Sequence, residues 1–415
     1  LDMQGQRATL REVAAEGRAQ RLVRYVALLG ALGEFTTADN DTRLLVDGPA
    51  TFAAMFAELE SAHSSIQMES YIFEDAALGD KIADVLKRKA AEGVRVRLIY
   101  DAVGSIGTPP EFFTAMAKAG VSVCAFNPVA ASALSGALNH RDHRKILIVD
   151  DQVAITGGIN ISDVYSATSA SLLRRHDSPA AEGAPRKGWR DTSVRIQGPA
   201  VTDFARLFAA TWVGQQCGDP PMPQARQQTP LAGERLVTVI GSTPDDAEPR
   251  IYRALLTAIG SAEHSVHMTM SYFVPDPQTV EFLTAAARRG VDVQLLLQGE
   301  SDSTLVLRAG QSHYAELLAA GVKIYERKDT LLHAKTAVID GVWSTIGSSN
   351  VDWRSFLHND EVNVIVFGAE FADEMETMFQ RDLQQAGQIT PARWEQRGLP
   401  RRLMEDLGRL FEYWL

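Results

Sequence analysis

The sequence predicts an α/β protein built from two similar halves, and three observations indicate it. An eight-residue motif occurs twice, the segments upstream of it recur, and both halves alternate helical segments with short, β-branched strands. Residues 61–73 match residues 261–273 as a helix end followed by a strand, and residues 93–100 match 290–297 as the next strand. The chain therefore contains a duplicated α/β unit.

The repeated motif has the pattern His-x-Lys-x-x-x-x-Asp. Its two copies lie 190 positions apart (143 to 333) and have identical internal spacing: His143, Lys145 and Asp150, then His333, Lys335 and Asp340. Asn160 and Asn350 follow the same offset, each just after a glycine-containing turn. A single copy carries little information, but two copies in register indicate a duplicated functional unit that brings its side chains to one place. The six motif residues, both aspartates included, are therefore the catalytic candidates.

The residue types in the motif suit phosphoryl chemistry. Residues two apart on a strand project to the same face, so each histidine should point the same way as its lysine. Two lysines and two asparagine amides form a cationic, donor-rich pocket for a phosphodiester, with Lys145, Lys335, Asn160 and Asn350 as the phosphate-binding candidates. One imidazole can attack phosphorus while the other transfers protons, because a pKa near 6.5 keeps both forms accessible. Since the lysines supply positive charge, we expect neither a metal nor another cofactor.

Both motifs resemble the HKD motifs of the phospholipase D superfamily, and their surroundings are most similar to bacterial cardiolipin synthases. Residues 189–201 look like the strand that follows the first motif in those enzymes. Residues 352–356 and 359–361 look like the segment after the second motif. The resemblance, which extends from about residue 45 onward, implies two domains related by a pseudo-twofold axis. Each would be a mixed β-sheet flanked by helices, with the active site at their interface.

The same resemblance implies roles for individual residues. Phosphatidyl transfer would proceed in two steps through a phosphohistidine, with His143 as the nucleophile and His333 as the general acid and base. A carboxylate after each glycine turn would orient the histidine of its own half, Asp191 for His143 and Glu361 for His333. Gly158 replaces the serine common in this turn, and we expect it to leave room for a bulkier substrate group.

Length and composition predict the domain organisation. A chain of 415 residues suits two domains. We expect an N-terminal helical extension at 1–42, a first domain at 43–217, a linker rich in Pro, Gln and Gly at 218–233, and a second domain with a C-terminal helix at 234–415. The extension is expected to pack on the first domain.

Charge and composition bear on partners and location. The net charge of −11 and pI of about 5.4 weigh against a nucleic-acid partner, while local basic patches stay compatible with a membrane surface. The two cysteines, Cys124 and Cys217, give no sign of pairing. No apolar run of about 18 residues occurs. Because the chain begins at Leu1 rather than Met, a preceding signal peptide or anchor stays open. The expected location is the bacterial cell membrane, reached peripherally or through such an anchor.

Several features leave alternatives open. Tyr71 and Tyr272 occupy matching positions and suit either the pocket mouth or the core. The Asp163–Gly188 segment suits disorder or a lid over a lipid headgroup, and its composition favours disorder. Between Leu399 and Leu415, apolar residues recur at helical spacing with arginines among them. This stripe predicts a helix that packs on the second domain, or alternatively one that lies in a membrane interface.

Three functions share the predicted first step. The favoured one is a phosphatidyltransferase that joins two phosphatidylglycerols into cardiolipin and releases glycerol. The others are a phospholipase D that hydrolyses phosphatidylcholine or phosphatidylethanolamine, and a nucleic-acid phosphodiesterase, which the acidic pI disfavours. The expected partners are a phospholipid and a membrane surface. One chain carries both motifs, so a monomer suffices for the site, and the sequence leaves the oligomeric state open.

Overall fold

A computed structural model describes residues 3–129, 139–168, 188–222, 229–301 and 303–410. Within these residues, strands β1 to β16 belong to one mixed sheet system. In chain order they are Thr36–Val46, Ser65–Ser70, Arg95–Asp101, Ser122–Phe126, Arg141–Asp142, Lys145–Val149, Val153–Gly157, Thr192–Gln197, Arg235–Ser242, Ser265–Met270, Asp292–Gln298, Lys323–Arg327, Lys335–Ile339, Trp343–Gly347, Asn359–Phe367 and Ala386–Ile389.

Helices cover both faces of the sheet. Numbered α1 to α13 in chain order, they are Met3–Ala31, Asp47–Ser61, Ala77–Ala91, Pro110–Lys118, Val201–Gly214, Arg250–Gly260, Pro277–Arg288, Thr304–Gln311, Tyr314–Ala319, Trp353–Leu357, Ala369–Leu383, Pro391–Glu395 and Leu399–Leu410. A 3-10 helix spans Asp163–Tyr165.

The order of strands repeats in the two halves. The first half runs β4-β3-β2-β6-β7-β8-β1, and the second runs β12-β11-β10-β13-β14-β15-β9, with β16 at its outer edge. In each half three strands are parallel and the others antiparallel. The halves meet where β1 pairs with β9 in antiparallel register. The predicted α/β fold of two similar units is confirmed, with the two sheets joined through this pair.

The motif strands β6 and β13 lie inside each half and are buried along their whole length. On β6, Leu147 and Val149 pack into one apolar cluster, and Ile146 and Ile148 pack into another on the opposite face. An apolar, β-branched run without polar alternation is the pattern of a strand covered on both sides. Burial on both faces fixes the register, so the residues that precede these strands are held in place as well.

The N-terminal helix packs on the second half, and the expectation that it packs on the first domain was wrong. Tyr25 and Leu29 join the apolar core of the second half, and the Tyr25 hydroxyl donates to Asp340 Oδ2 at 2.9 Å. Arg18 pairs with Asp373 at 3.2 Å. The helix is held there because the strand that follows it, β1, pairs with β9 of the second half. The expected boundary at residue 43 therefore falls within β1.

The two cysteines form a disulfide, a pairing that the sequence did not indicate. Cys124 lies on edge strand β4 and Cys217 just beyond the end of α5, with Cα atoms 5.6 Å apart. The residues are 93 positions apart, and only the packing of α5 beside the sheet brings them together. Most of the Asp163–Gly188 loop lies outside the described residues, so the choice between disorder and a lid is not tested.

The C-terminal helix α13 packs on the second half through its non-apolar face, which the sequence did not predict. Glu405 is buried and accepts a hydrogen bond from Arg397 Nε at 2.8 Å. Gly408 lies against α8, where an added Cβ would come within 2.7 Å of Ala309 N. Leu403 and Leu410 are 68% and 77% exposed. The expectation that the apolar stripe packs on the second domain was therefore wrong for the part of the stripe that the structure describes.

Candidate active site

Each motif histidine is anchored by backbone from the other half. The residues just before His143 form β5, which pairs in parallel with the start of β15, and His143 N donates to Asp360 O at 2.9 Å. In the other half, Leu332 and Arg190 form an isolated parallel β-bridge, and His333 N donates to Arg190 O at 2.7 Å. These crossed backbone pairs bring both histidines to the interface between the halves.

Both histidines line one pocket of about 330 Å³. Tyr71 and Tyr272 also line it, which places both tyrosines at the pocket and not in the core. The Tyr71 ring meets the His143 ring edge-on at 4.9 Å, and Trp189 lies 5.7 Å from the His333 ring. The remaining lining residues are mostly polar: Ile72, Asn160, Ser303, Val306, Asn350, Asp352, Arg354, Ser355 and Asn359.

The orienting carboxylate of each histidine comes from the other half. His143 Nδ1 lies 3.0 Å from Glu361 Oε1, and His333 Nδ1 lies 2.8 Å from Asp191 Oδ2. The expected assignment, Asp191 to His143 and Glu361 to His333, was wrong. The crossed backbone pairs explain this, because they place each histidine beside the strand that carries the other half's carboxylate. Since Nδ1 faces a carboxylate, Nε2 is the ring nitrogen that can meet a substrate. In His333 this nitrogen also lies 3.2 Å from Lys335 Nζ.

The two carboxylates have different supports. Ser348 Oγ hydrogen-bonds Glu361, and Asn359 Nδ2 donates to Glu361 Oε1 at 3.3 Å. At the matching place in the first half, a Cβ on Gly158 would lie 2.4 Å from Asp191 Oδ1. The shorter aspartate therefore fills the space that a serine would need. The expectation that Gly158 leaves room for a substrate group was wrong.

The motif aspartates lie away from the pocket. Asp150 follows the far end of β6 and accepts backbone hydrogen bonds from His63, Ser64 and Ser65 at 2.7–2.9 Å. Lys145 and Asp150 are roughly 16 Å apart along the strand, at about 3.3 Å per residue. Asp340 accepts from the backbone of the equivalent residues, 263–265, at 2.7–3.2 Å. The expected catalytic role is corrected for both aspartates: they hold the motif strand to its neighbour.

The motif lysines and asparagines surround the histidines. Lys145 Nζ donates to His143 O at 2.5 Å, and Lys335 Nζ to His333 O at 2.5 Å. Asn160 Oδ1 accepts from Ile72 N at 3.2 Å, which turns its Nδ2 group the other way. Asn350 Oδ1 likewise accepts from Ser271 Oγ at 2.7 Å. This arrangement can give a bound anion two ammonium groups nearby and two amide donors at the pocket wall.

Burial lowers the basicity of the site. Burial, together with the charge of the neighbouring lysine, lowers the pKa of His143 to about 4 and that of His333 to about 4. Burial also lowers the pKa of Lys145 to about 7. Burial opposes ionisation of Glu361, but His143 and Lys145 nevertheless hold its pKa at about 2. Both imidazoles are therefore neutral near pH 7, and an anion bound between them would favour protonation of one.

We expect Lys145→Met and Lys335→Met each to lower kcat/KM by about 10²–10³-fold, or about 3–4 kcal/mol, because each removes a fixed charge near the expected phosphate position. In the unmodified protein kcat/KM should also fall above about pH 7, as Lys145 loses its proton. Lys145→Met should lose this alkaline limb. If either Lys→Met variant lost less than about tenfold in kcat/KM, the lysine it replaces would not stabilise the transition state.

Some site residues were not anticipated from the sequence. The Tyr165 hydroxyl lies 3.1 Å from His333 Nδ1, and the Trp189 ring lies against the same imidazole. Tyr165 has Ser355 at the matching position 190 residues on, so the repeat gave no signal for it. Trp189 immediately precedes Arg190, whose backbone anchors His333. Its position two residues before Asp191 was the one feature of the sequence that could have indicated a place in the site.

Among the residues that the structure describes, no group of three or more His, Cys, Asp or Glu side chains is arranged to hold a metal ion. Among the same residues, no helix is both long and apolar enough to cross a bilayer.

Comparison with known proteins shows which family the sequence matches. The family model described as "Cardiolipin synthase, PLD-like domain" matches residues 55–172 and 255–383 of this chain. A cardiolipin synthase from Bacillus anthracis is 32% identical over 94% of this chain and 76% of its own length. A cardiolipin synthase from Listeria monocytogenes serotype 4a is 33% identical over 91% of this chain and 76% of its own length.

A solved structure supports the fold. The phosphatidylserine synthase of Haemophilus influenzae superposes with a TM-score of 0.66 at 11% identity, covering 90% of this chain and 95% of that one. At that identity the likeness concerns the fold alone. From the family match over both halves and the identity to its members, the chain belongs to the phospholipase D-like cardiolipin synthase family of phosphatidyltransferases.

Proposed function

We propose that the protein joins two phosphatidylglycerols into cardiolipin and releases glycerol. The observation that carries this proposal is the single pocket in which two histidines, each held by a carboxylate at Nδ1, present their other nitrogen. Two nucleophile-competent imidazoles in one pocket suit a double displacement at phosphorus. The cardiolipin synthases to which the chain is similar supply the substrate class.

The first half-reaction forms a phosphatidyl-histidine. His143 Nε2 attacks the phosphorus of one phosphatidylglycerol, a P–N bond forms, and the bond from phosphorus to the glycerol oxygen breaks. His333 Nε2, protonated in the presence of the bound phosphate anion, gives its proton to the departing glycerol oxygen. Glu361 and Asp191 keep each imidazole in the tautomer that directs Nε2 to the reaction.

The second half-reaction reverses the first: the P–N bond breaks, and His333 takes up a proton instead of donating one. A hydroxyl on the headgroup of a second phosphatidylglycerol transfers its proton to His333 Nε2 and attacks phosphorus. The P–N bond breaks, and cardiolipin and free His143 result. The site returns to its starting protonation state, so the cycle needs no other reactant.

The proposal is tested by incubating the protein with labelled phosphatidylglycerol in vesicles and resolving the products. Cardiolipin and glycerol in equal amounts are expected, with and without EDTA. Phosphatidic acid as the main product would instead support the hydrolase, and an unchanged lipid together with cleavage of a nucleic acid would support the phosphodiesterase. Loss of activity in EDTA, restored by a divalent ion, would contradict a metal-free mechanism.

We also propose that α13 contacts the bilayer beside the pocket. Its exposed apolar residues are Leu403, Met404, Leu407 and Leu410. The opposite face of α13 packs on α8, and Val306 and Ser303, within and just before α8, line the pocket. Arg402 and Arg409 are exposed on the same helix, and phosphatidylglycerol carries a negative charge. An anionic bilayer therefore matches this helix in both apolar surface and charge.

Leu403→Glu combined with Leu410→Glu should weaken binding to phosphatidylglycerol vesicles by about tenfold or more, because it places two charges in the apolar interface. Vesicle sedimentation measures the binding. Turnover of lipid in vesicles should fall in parallel, while turnover of a short-chain, soluble phosphatidylglycerol stays unchanged. Val213→Glu, at a residue 57% exposed on α5, is the matched control. Unchanged vesicle binding, or equal loss on both substrates, would contradict the assignment.

A further inference from the structure

Arg354 lines the pocket, and its guanidinium has no hydrogen bond or ion pair with any described residue. Arg354 lies on α10 and lines the pocket together with both motif histidines. Within the described ranges, no side chain or backbone oxygen forms a hydrogen bond or ion pair with its guanidinium, and no carboxylate lies within ion-pair distance. The nearby Asp352 carboxylate attracts Arg354 only at longer range than an ion pair. It accepts a hydrogen bond from Ser355 N at 2.7 Å and so caps the helix.

Other buried arginines around the site are occupied. Arg190 pairs with Asp382 at 2.7 Å, and Arg327 pairs with the same carboxylate at 2.8 Å. Arg144 donates to Thr211 Oγ1 at 3.1 Å, and Arg141 lies 3.6 Å from Asp101. A half-buried guanidinium without an anion is unusual in such surroundings, because its desolvation is offset only when it binds a partner. Arg354 is therefore available to an anionic ligand in the pocket.

The two halves differ at this position. The residue 190 positions before Arg354 is Val164, which also follows the asparagine of its motif by four residues and is 38% exposed. The first half thus has an aliphatic side chain where the second half has a cation. Because the histidines, lysines and asparagines are duplicated but this arginine is not, its ligand approaches one histidine from the side of the second half.

We propose that Arg354 binds the phosphodiester of the acceptor lipid during the second half-reaction. This inference rests on the proposed function. In phosphatidylglycerol the attacking hydroxyl and the lipid's own phosphate are attached to one glycerol, three carbons apart at most. When that hydroxyl reaches the phosphorus at His143, the acceptor phosphate must lie nearby within the same pocket. The motif lysines and asparagines serve the reacting phosphate. Among the described residues that line the pocket, Arg354 is the one lysine or arginine, and its planar fork fits two phosphate oxygens.

The test measures how the phosphatidyl-enzyme divides between two acceptors. Labelled phosphatidylglycerol vesicles are supplied with a fixed concentration of ethanol, which has a hydroxyl but no phosphate, and cardiolipin and phosphatidylethanol are quantified. This ratio depends only on the second half-reaction and is independent of how much of the protein is folded. Arg354→Gln should lower the ratio by about tenfold or more, as expected when hydrogen bonds to a charged group are lost.

Two further variants sharpen the result. Arg354→Lys keeps the charge without the fork and should recover part of the ratio, whereas Val164→Gln, at the matching position of the first half, should leave the ratio unchanged. An unaltered ratio in Arg354→Gln would overturn the proposal, including the case in which both products fall together because the variant is merely destabilised. A wild-type protein that makes phosphatidylethanol but no cardiolipin would refute the proposed function, and the acceptor site with it, before any variant is compared.

Discussion

His143→Ala is expected to abolish turnover of phosphatidylglycerol, by about four orders of magnitude or more, because no nucleophile remains to form the P–N bond. His143 and His333 are nearly equivalent in their surroundings: both are buried, both have a pKa of about 4, and each meets a carboxylate at Nδ1. The assignment of the nucleophile therefore follows the resemblance to the family and needs a direct measurement.

A donor with an activated leaving group separates the two histidines. Such a donor departs without a proton, so the general acid is not needed in the first step. With it, His333→Ala should accumulate a phosphatidyl adduct on His143, visible by intact mass and peptide mapping, whereas His143→Ala should form none. An adduct on His333 in the His143→Ala variant would mean that the roles are reversed.

Glu361→Gln should reduce turnover by about 10²–10⁴-fold, in the range known for replacing the carboxylate that orients a catalytic histidine. Loss of Glu361 and loss of Asp191 should slow different steps of the reaction. Because Glu361 contacts His143 at 3.0 Å, Glu361→Gln should slow adduct formation even from the activated donor. Asp191→Asn, whose carboxylate contacts His333 at 2.8 Å, should form the adduct at a normal rate and then release it slowly.

Rapid-quench measurement of both steps checks the crossed pairing. If each carboxylate served the histidine of its own half, the two phenotypes would be exchanged. Ser348→Ala is a useful companion, because it removes a hydrogen bond to Glu361 and leaves His143 untouched. It should reproduce the Glu361→Gln defect in weaker form, and an effect on the second step alone would contradict the structural assignment.

Much of the fold follows from local pattern. The apolar run of β6 and that of β13 need cover on both faces, and this requirement predicts strands inside an α/β layer structure. The duplication at an offset of 190 residues predicts two units of one topology. Both signals are carried by residues close together in the chain, which is why the sequence suffices to read them.

The sequence also indicated several of the residues that line the pocket, but not their partners. His143, His333 and both asparagines stand where the repeat predicted, in one pocket. The motif aspartates share the same spacing, yet Asp150 binds the backbone at the far end of the strand. Spacing within a motif reports that residues are held together in one element, and does not report which of them face the substrate.

By itself the sequence determined the α/β class, the duplication, the histidines and asparagines that line one pocket, and the lysine beside each histidine. Tertiary structure decided which carboxylate serves which histidine, which half the N-terminal helix covers, that Cys124 meets Cys217, and which face of α13 stays exposed. Each of these depends on pairing between segments distant in the chain. At the active site the deciding contact is the short parallel pair between β5 and β15, which carries His143 across to Glu361.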